Sequence, residues 1–150
     1  MRQAAIRHQS LSPCSIPYAE RLIKEWEKHG KIIIACDFDD TIRNWGMNLP
    51  SDIARAIATI KHAQAIGIHL VIWTASDPIE RKDIITKHCE EHGIRIDGIN
   101  ENPPGLPYGL HGKIYANIFI DDRAGINEAL TILEYAIEHM LSKNKHNETV

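Results

Sequence analysis

Three apolar runs in this sequence end in side chains that carry oxygen donors. Ile32-Ile33-Ile34-Ala35-Cys36 stops at Asp37-Phe38-Asp39-Asp40-Thr41, Val71-Ile72-Trp73 stops at Thr74, and Ile118-Phe119-Ile120 stops at Asp121-Asp122. Carboxylates brought together repel one another unless a cation compensates them, and an all-oxygen donor set favours a hard ion such as Mg²⁺. Mg²⁺ takes one or two protein carboxylates and leaves its other positions to water and phosphate oxygens, so the same residues invite a phosphoryl group. A carboxylate can attack phosphorus to give an acyl phosphate, which splits one difficult hydrolysis into two displacements. A second carboxylate two residues along, as Asp39 stands to Asp37, can protonate the leaving oxygen and later deprotonate water.

Such chemistry requires a scaffold that delivers the ends of several strands to one edge. Residues 18–29 place Leu22, Ile23 and Trp26 at helical spacing, with Gly30 as a stop signal. The β-branched run 32–36 suits a strand buried on both faces of a parallel sheet. Residues 43–50 read as a loop or small flap, and Ser51 as the cap of a helix with Ile53, Ile57 and Ile60 on its apolar face. A second buried strand over 68–73, a helix over 78–92 and a weaker strand over 94–99 follow. Residues 100–112 hold three Pro and three Gly, which predicts an irregular loop of a length that is often functional. A last strand over 116–120 leads into a helix over 126–141, with Leu130, Leu133 and Ile137 on one side, and a polar, frayed tail over 142–150. The alternation predicts an α/β fold: a doubly wound, Rossmann-like three-layer sandwich with a central parallel sheet and helices on both faces. Ligands then bind beyond the carboxyl ends of the strands. The expected organisation is an N-terminal extension with an amphipathic helix over 1–30, a catalytic domain over 31–141 and the tail.

In that strand context the motifs resemble the haloacid dehalogenase (HAD) superfamily, over about residues 31–129. Asp37-Phe38-Asp39-Asp40-Thr41 is similar to the first signature, DxDx[TV]. The resemblance implies that Asp37 is nucleophile and metal ligand, and that Asp39 is acid/base and ligates Mg²⁺ through its backbone carbonyl. Thr74 is similar to the second signature, whose hydroxyl binds phosphoryl oxygens. Lys113 matches the third, a cation beside nucleophile and phosphate, with Lys82 and Lys87 as rivals. Asp121-Asp122 is similar to the fourth, the remaining metal carboxylates; the family's Gly-Asp variant aligns with Asp122, implying direct ligation there and a water-mediated role for Asp121. An Asp at position 39 implies a phosphatase rather than a dehalogenase. Neither the interval after the first signature nor that between the second and third holds a cap domain, so the resemblance implies an open site. It suits a phosphate on a macromolecule end, or a small ester where a neighbouring subunit closes the cleft, with nucleotides, nucleic-acid ends and sugar phosphates as substrate classes.

Composition bounds the remaining choices. At 150 residues the chain fits one compact domain, and 43% hydrophobic with 25% charged residues excludes collagen-like, wholly disordered and membrane classes. A net charge of −3 supplies no whole-surface field for nucleic acid. Cys14, Cys36 and Cys89 are odd in number and lack CxxC pairing, as reduced thiols would be. With no signal-peptide core and no membrane-length apolar run, the expectation is a cytoplasmic protein without a membrane partner. The lead-in helix either packs on the sheet or offers a homo-oligomer interface. His62, His69 and Trp73 read as structural; His111 and Tyr108 read equally as substrate contacts or surface polarity, and Trp45 as pocket mouth or flap packing. Two noncatalytic alternatives stand beside the hydrolase: a phospho-receiver module, and a HAD-like pseudoenzyme that binds a partner.

Overall fold

The structure, a computed structural model, describes residues 10–107 and 111–148. Its elements run α1 (Ile16–His29), β1 (Ile32–Cys36), α2 (Pro50–Ile66), β2 (Ile68–Ile72), α3 (Lys82–Glu91), β3 (Gly98–Ile99), β4 (Ile118–Ile120) and α4 (Ile126–Asn147). The four strands form one parallel sheet in the order β3-β2-β1-β4. All five residues of β1 are buried, as its uninterrupted apolar run requires of a central strand.

Alternation along the strands divides the core in two. Ile32, Ile34, Cys36, Leu70 and Ile72 face a single large cluster to which all four helices contribute, through residues such as Trp26, Ile60, Ile85 and Leu133. Ile33, Ala35 and Val71 face the other way, into a small cluster closed by Ile114 with Leu106 and Ala116 beside it. Among the described residues no helix contributes to that second cluster. Over the described residues the expected three layers are therefore corrected to one helical layer, the sheet, and a covering of irregular chain. The reason lies in the connection from β3 to β4. It travels back across the sheet, which the right-handed crossover rule sends over the face opposite α2 and α3, and its Pro and Gly content forbids a helix there. The loop that sequence marked as functional by its length has this structural task.

Several boundaries also differ from the pattern-based ones. Helix α2 begins at Pro50 with Leu49 as its N-cap, so Ser51 lies inside the first turn instead of capping it. Helix α3 starts at Lys82, because the Asp77 side chain accepts the N–H groups of Ile79 and Glu80 at 2.8 and 3.3 Å and holds residues 77–81 in a turn. Strand β3 shrinks to two residues, and Asp97 extends its pairing by accepting the Leu70 N–H with its carboxylate at 2.8 Å. Gly98 is required there, since a Cβ would stand 2.5 Å from the Glu101 carbonyl oxygen. Helix α4 continues to Asn147 through residues read as a frayed tail; Lys143 donates to Glu27 of α1 at 2.8 Å, and Lys145 and His146 suit the negative end of the helix dipole.

Helix α1, read as part of an extension, belongs to the main core: Ala19, Leu22, Ile23 and Trp26 are buried in it. Its apolar face is thereby consumed and leaves nothing for an oligomer interface through that face. Among the described residues no helix is long and apolar enough to cross a membrane. Trp26→Ala should lower unfolding free energy in urea by about 3–5 kcal/mol, as truncation of a fully buried aromatic does. A loss below about 1 kcal/mol would mean that α1 is dispensable to the core.

Candidate active site

The register of the sheet assembles the site. Cys36 is level with Ile72 on one side and Ile120 on the other, so the next residues of three strands, Asp37, Trp73 and Asp121, emerge side by side. Two further backbone bonds carry the pairing past the strand ends: Asp37 N–H to the Ile120 carbonyl at 2.9 Å, and Trp73 N–H to the Cys36 carbonyl at 2.8 Å. Chain direction across the sheet reverses at β1, between β2 and β4, which is where open parallel sheets leave a crevice. A cleft of about 830 Å³ lies there, lined by Asp37, Asp39, Thr74, Asp121 and Asp122 among others.

Asp37, Asp121 and Asp122 each offer a carboxylate oxygen, and these oxygens lie within 4.8 Å of one another. Strand β4 ends at Ile120, so alternation no longer separates the two aspartates after it and both face the same point. Both lie near Asp37, so position does not rank Asp122 above Asp121 as a ligand. Burial pushes the Asp37 carboxyl up to about 6, and the charges of Asp121 and Asp122 push the same way against a favourable bond from the Phe38 backbone. Three mutually repelling carboxylates with no basic or thiol member fit a hard divalent cation such as Mg²⁺. The Asp39 carboxylate is not part of this group.

Thr41, fifth residue of the DxDxT run, is wholly buried and ties the carboxylates together. Its hydroxyl accepts the Asp122 N–H at 3.1 Å and stands 3.3 Å from both Asp37 Oδ2 and Asp122 Oδ1, so its single proton serves one of them at a time. Thr74 is held through its backbone: Asn100, at a φ of 54°, accepts the Thr74 N–H and donates to the Thr74 carbonyl, each at 2.8 Å. The Thr74 hydroxyl accepts from the Ser76 N–H at 3.2 Å, which leaves its proton to donate elsewhere.

Asp39 has a different neighbourhood. Arg81 grips both of its oxygens, at 2.5 and 3.1 Å, and also donates to Ser76 Oγ at 2.6 Å. This contact raises the already high Arg81 pKa. Arg43 approaches Asp39 Oδ1 at 3.5 Å. The guanidinium groups of Arg43 and Arg81 lie 5.8 and 5.6 Å from the Phe38 ring centroid and 5.1 and 5.7 Å from that of Trp45. Trp45 therefore belongs to the cleft mouth. Its segment is anchored by Asp40, buried at a φ of 58°, whose carboxylate accepts the N–H groups of Trp45 and Met47 at 2.8 and 3.1 Å.

Lys113 does not join this assembly. It is exposed and does not line the cleft, because Ile114 is drawn into the second core cluster and Tyr115 is tied to Asn102 by two backbone-to-side-chain bonds. Lys82 and Lys87 are exposed on α3. His111 is exposed outside the cleft, and Tyr108 lies outside the described residues. His62 is exposed on α2, while His69 faces Asp97 at 3.5 Å, away from the site. The cations that sequence reading passed over are Arg123, which lines the cleft, and Arg43 and Arg81, which stand behind its wall against Asp39. Arg81 sat inside a predicted helix; the signal available was Asp77, which delays the helix start and turns Arg81 back toward the strand ends.

No protein-family model matches the chain, and no curated protein does. A solved structure of a conserved protein from Bacteroides thetaiotaomicron is similar, at 28% identity and a TM-score of 0.50, over 62% of this chain and 77% of that one. The likeness supports the Rossmann-like α/β arrangement described above.

The raised Asp37 carboxyl has a consequence for stability. Folding favours its protonated form, so ionisation as pH rises from about 4 to 6 costs the folded state stability, and the cost is complete above about 6. In metal-free buffer Asp37→Asn should melt higher than wild type at pH 7.5, and the difference should close as pH falls toward 4. Thermal melts across that range check the sign, and saturating Mg²⁺ should narrow the gap at pH 7.5.

Proposed function

We propose that this protein is a Mg²⁺-dependent phosphomonoester hydrolase of the HAD type, working through an acyl phosphate on Asp37. The observation that carries the reading is the convergence of Asp37, Asp121 and Asp122 at the carboxyl ends of β1 and β4, with their oxygens within 4.8 Å. Mg²⁺ held by these residues would neutralise their repulsion and polarise phosphoryl oxygens. Asp37 Oδ attacks phosphorus; the bond from phosphorus to the leaving oxygen breaks, and Asp39 supplies the proton that oxygen needs. Thr41 restrains Asp37 in line, and the free proton of Thr74 is placed to donate to a phosphoryl oxygen. In the second step Asp39 takes a proton from water, which attacks the acyl phosphate and returns Asp37 as a carboxylate. Among the described residues neither the segment 43–49 nor the chain between Thr74 and Lys113 forms an inserted domain, which suits the end of a macromolecule as well as a small ester.

A phosphate-retaining receiver module is the second reading, favoured by one observation. Asp39, which would activate the hydrolytic water, has both oxygens engaged by Arg81.

A panel of phosphomonoesters with Mg²⁺, including an aryl phosphate, nucleotides, sugar phosphates and 3′-phosphorylated oligonucleotides, separates the two. Turnover should be abolished by chelation and lowered roughly a thousandfold or more in Asp37→Asn. Thr41→Val should cost about tenfold in kcat, the value of one lost hydrogen bond to a charged group. Phosphate retained from a small phosphodonor, with no release from any ester, would establish the receiver instead.

A further inference from the structure

We infer that Arg81, backed by Arg43, forms the anion-binding side of this cleft, and that Asp39 fills that place until a phosphate group displaces it. The inference deepens the hydrolase reading and rests on it for the identity of the anion. The cleft is divided by charge. Asp37, Asp121 and Asp122 gather negative charge at the ends of β1 and β4, while two guanidinium groups surround the single carboxylate of Asp39. One cation on that side is therefore uncompensated by Asp39.

The donors agree with the charge count. Arg43 Nη1 is buried, lies 3.5 Å from Asp39 Oδ1, and has no hydrogen-bond partner among the described residues. A buried donor left unsatisfied is costly, and an anion with more acceptor oxygens than a carboxylate would satisfy it. Arg81 presents a two-pronged fork, the geometry that matches carboxylate and phosphate alike. The Phe38 and Trp45 rings lie near both guanidinium groups without using any of their N–H donors. Arg81 reaches the cleft through its lining residues Asp39 and Ser76, Arg123 lines the cleft beside the acidic group, and Lys113, the cation suggested by motif order, is exposed outside it.

A phosphate monoester carries up to two negative charges where Asp39 carries one, so it competes for the fork. Its arrival transfers Arg81 to the phosphoryl oxygens and releases Asp39 to face the leaving oxygen. The exchange is one of hydrogen-bond partners only, and no covalent bond changes. Arg81 then couples phosphate binding to the availability of the acid/base.

Titration calorimetry with inorganic phosphate in the presence of Mg²⁺ tests this. Wild type should bind, Arg81→Ala should weaken binding by about tenfold or more, and Arg81→Lys should lose most of that affinity because an ammonium lacks the fork. Arg43→Ala should weaken it less. Asp39→Asn should bind phosphate several-fold more tightly than wild type, since the internal competitor has lost its charge; a merely structural salt bridge would not produce that gain. Lys113→Ala should keep wild-type affinity. If near-ultraviolet circular dichroism shows Arg81→Ala unfolded, Arg81→Lys and Asp39→Asn decide the matter. Unchanged affinity in the folded Arg81 variants, weaker binding in Asp39→Asn, or no phosphate binding by wild type overturns the proposal. Turnover of an aryl phosphate by a protein whose phosphate affinity ignores Arg81 sinks this inference and leaves the hydrolase standing. Phosphate bound through Arg81 without turnover of any ester does the reverse.

Discussion

Three carboxylates held at one point by a parallel sheet are the constraint around which the rest of this molecule is arranged. Left alone, Asp37, Asp121 and Asp122 would separate, because each ionised neighbour raises the cost of the next. They cannot separate, since the pairing of Cys36 with both Ile72 and Ile120 fixes the strand ends, and backbone bonds continue one residue beyond. Thr41 adds a buried hydroxyl between two of them. The apolar core beneath supplies the rigidity, because shifting β1 by one residue would turn Ile34 and Cys36 out of the helical layer and Ile33 into it.

The opposite wall of the cleft is built by short-range geometry. Asp40 adopts a left-handed conformation, so its carboxylate can gather the N–H groups of Trp45 and Met47 and hold the flap in place. Asp77 captures two N–H groups and shortens α3, which leaves Arg81 at the head of that helix and within reach of Asp39. Asn100, again left-handed, clamps the backbone of Thr74 from the neighbouring strand. Asp40 and Asp77 bond backbone groups in their own turns, the local role these side chains perform best, and Asn100 bonds the backbone of a strand end 26 residues away. The cleft owes its shape to them, and its charge to the groups they orient.

The second face of the sheet shows how a small α/β protein can dispense with a helical layer. Ile33, Ala35 and Val71 present little area, and Ile114 with Leu106 and Ala116 is enough to cover them. The return connection that does this must pass the same face for topological reasons, so its irregular chain serves as covering and crossover together. All the helices then stack on the other face, where α4 joins α1 through Lys143 and Glu27, and α2 through the bidentate contact of Arg55 with buried Glu134.

Sequence alone determined the strands that matter and the residues at their ends. Short, continuous apolar runs rich in Ile and Val mark these strands, and one buried-strand rule places Asp37, Thr74, Asp121 and Asp122 at a common edge. It also determined that α1 is amphipathic, though not that its Trp26 would lie in the main core, because periodicity reports a face and not what covers it. Tertiary structure alone decided that Arg81, and not Lys113, comes beside Asp39. Lys113 and Arg81 lie 76 and 44 residues from Asp37 along the chain, and no local pattern ranks them. The choice follows from where Ile114 is buried and where α3 begins, and both depend on packing between segments distant in sequence. The same holds for Asp121 and Asp122: their alternation is a property of a strand, and the strand had already ended.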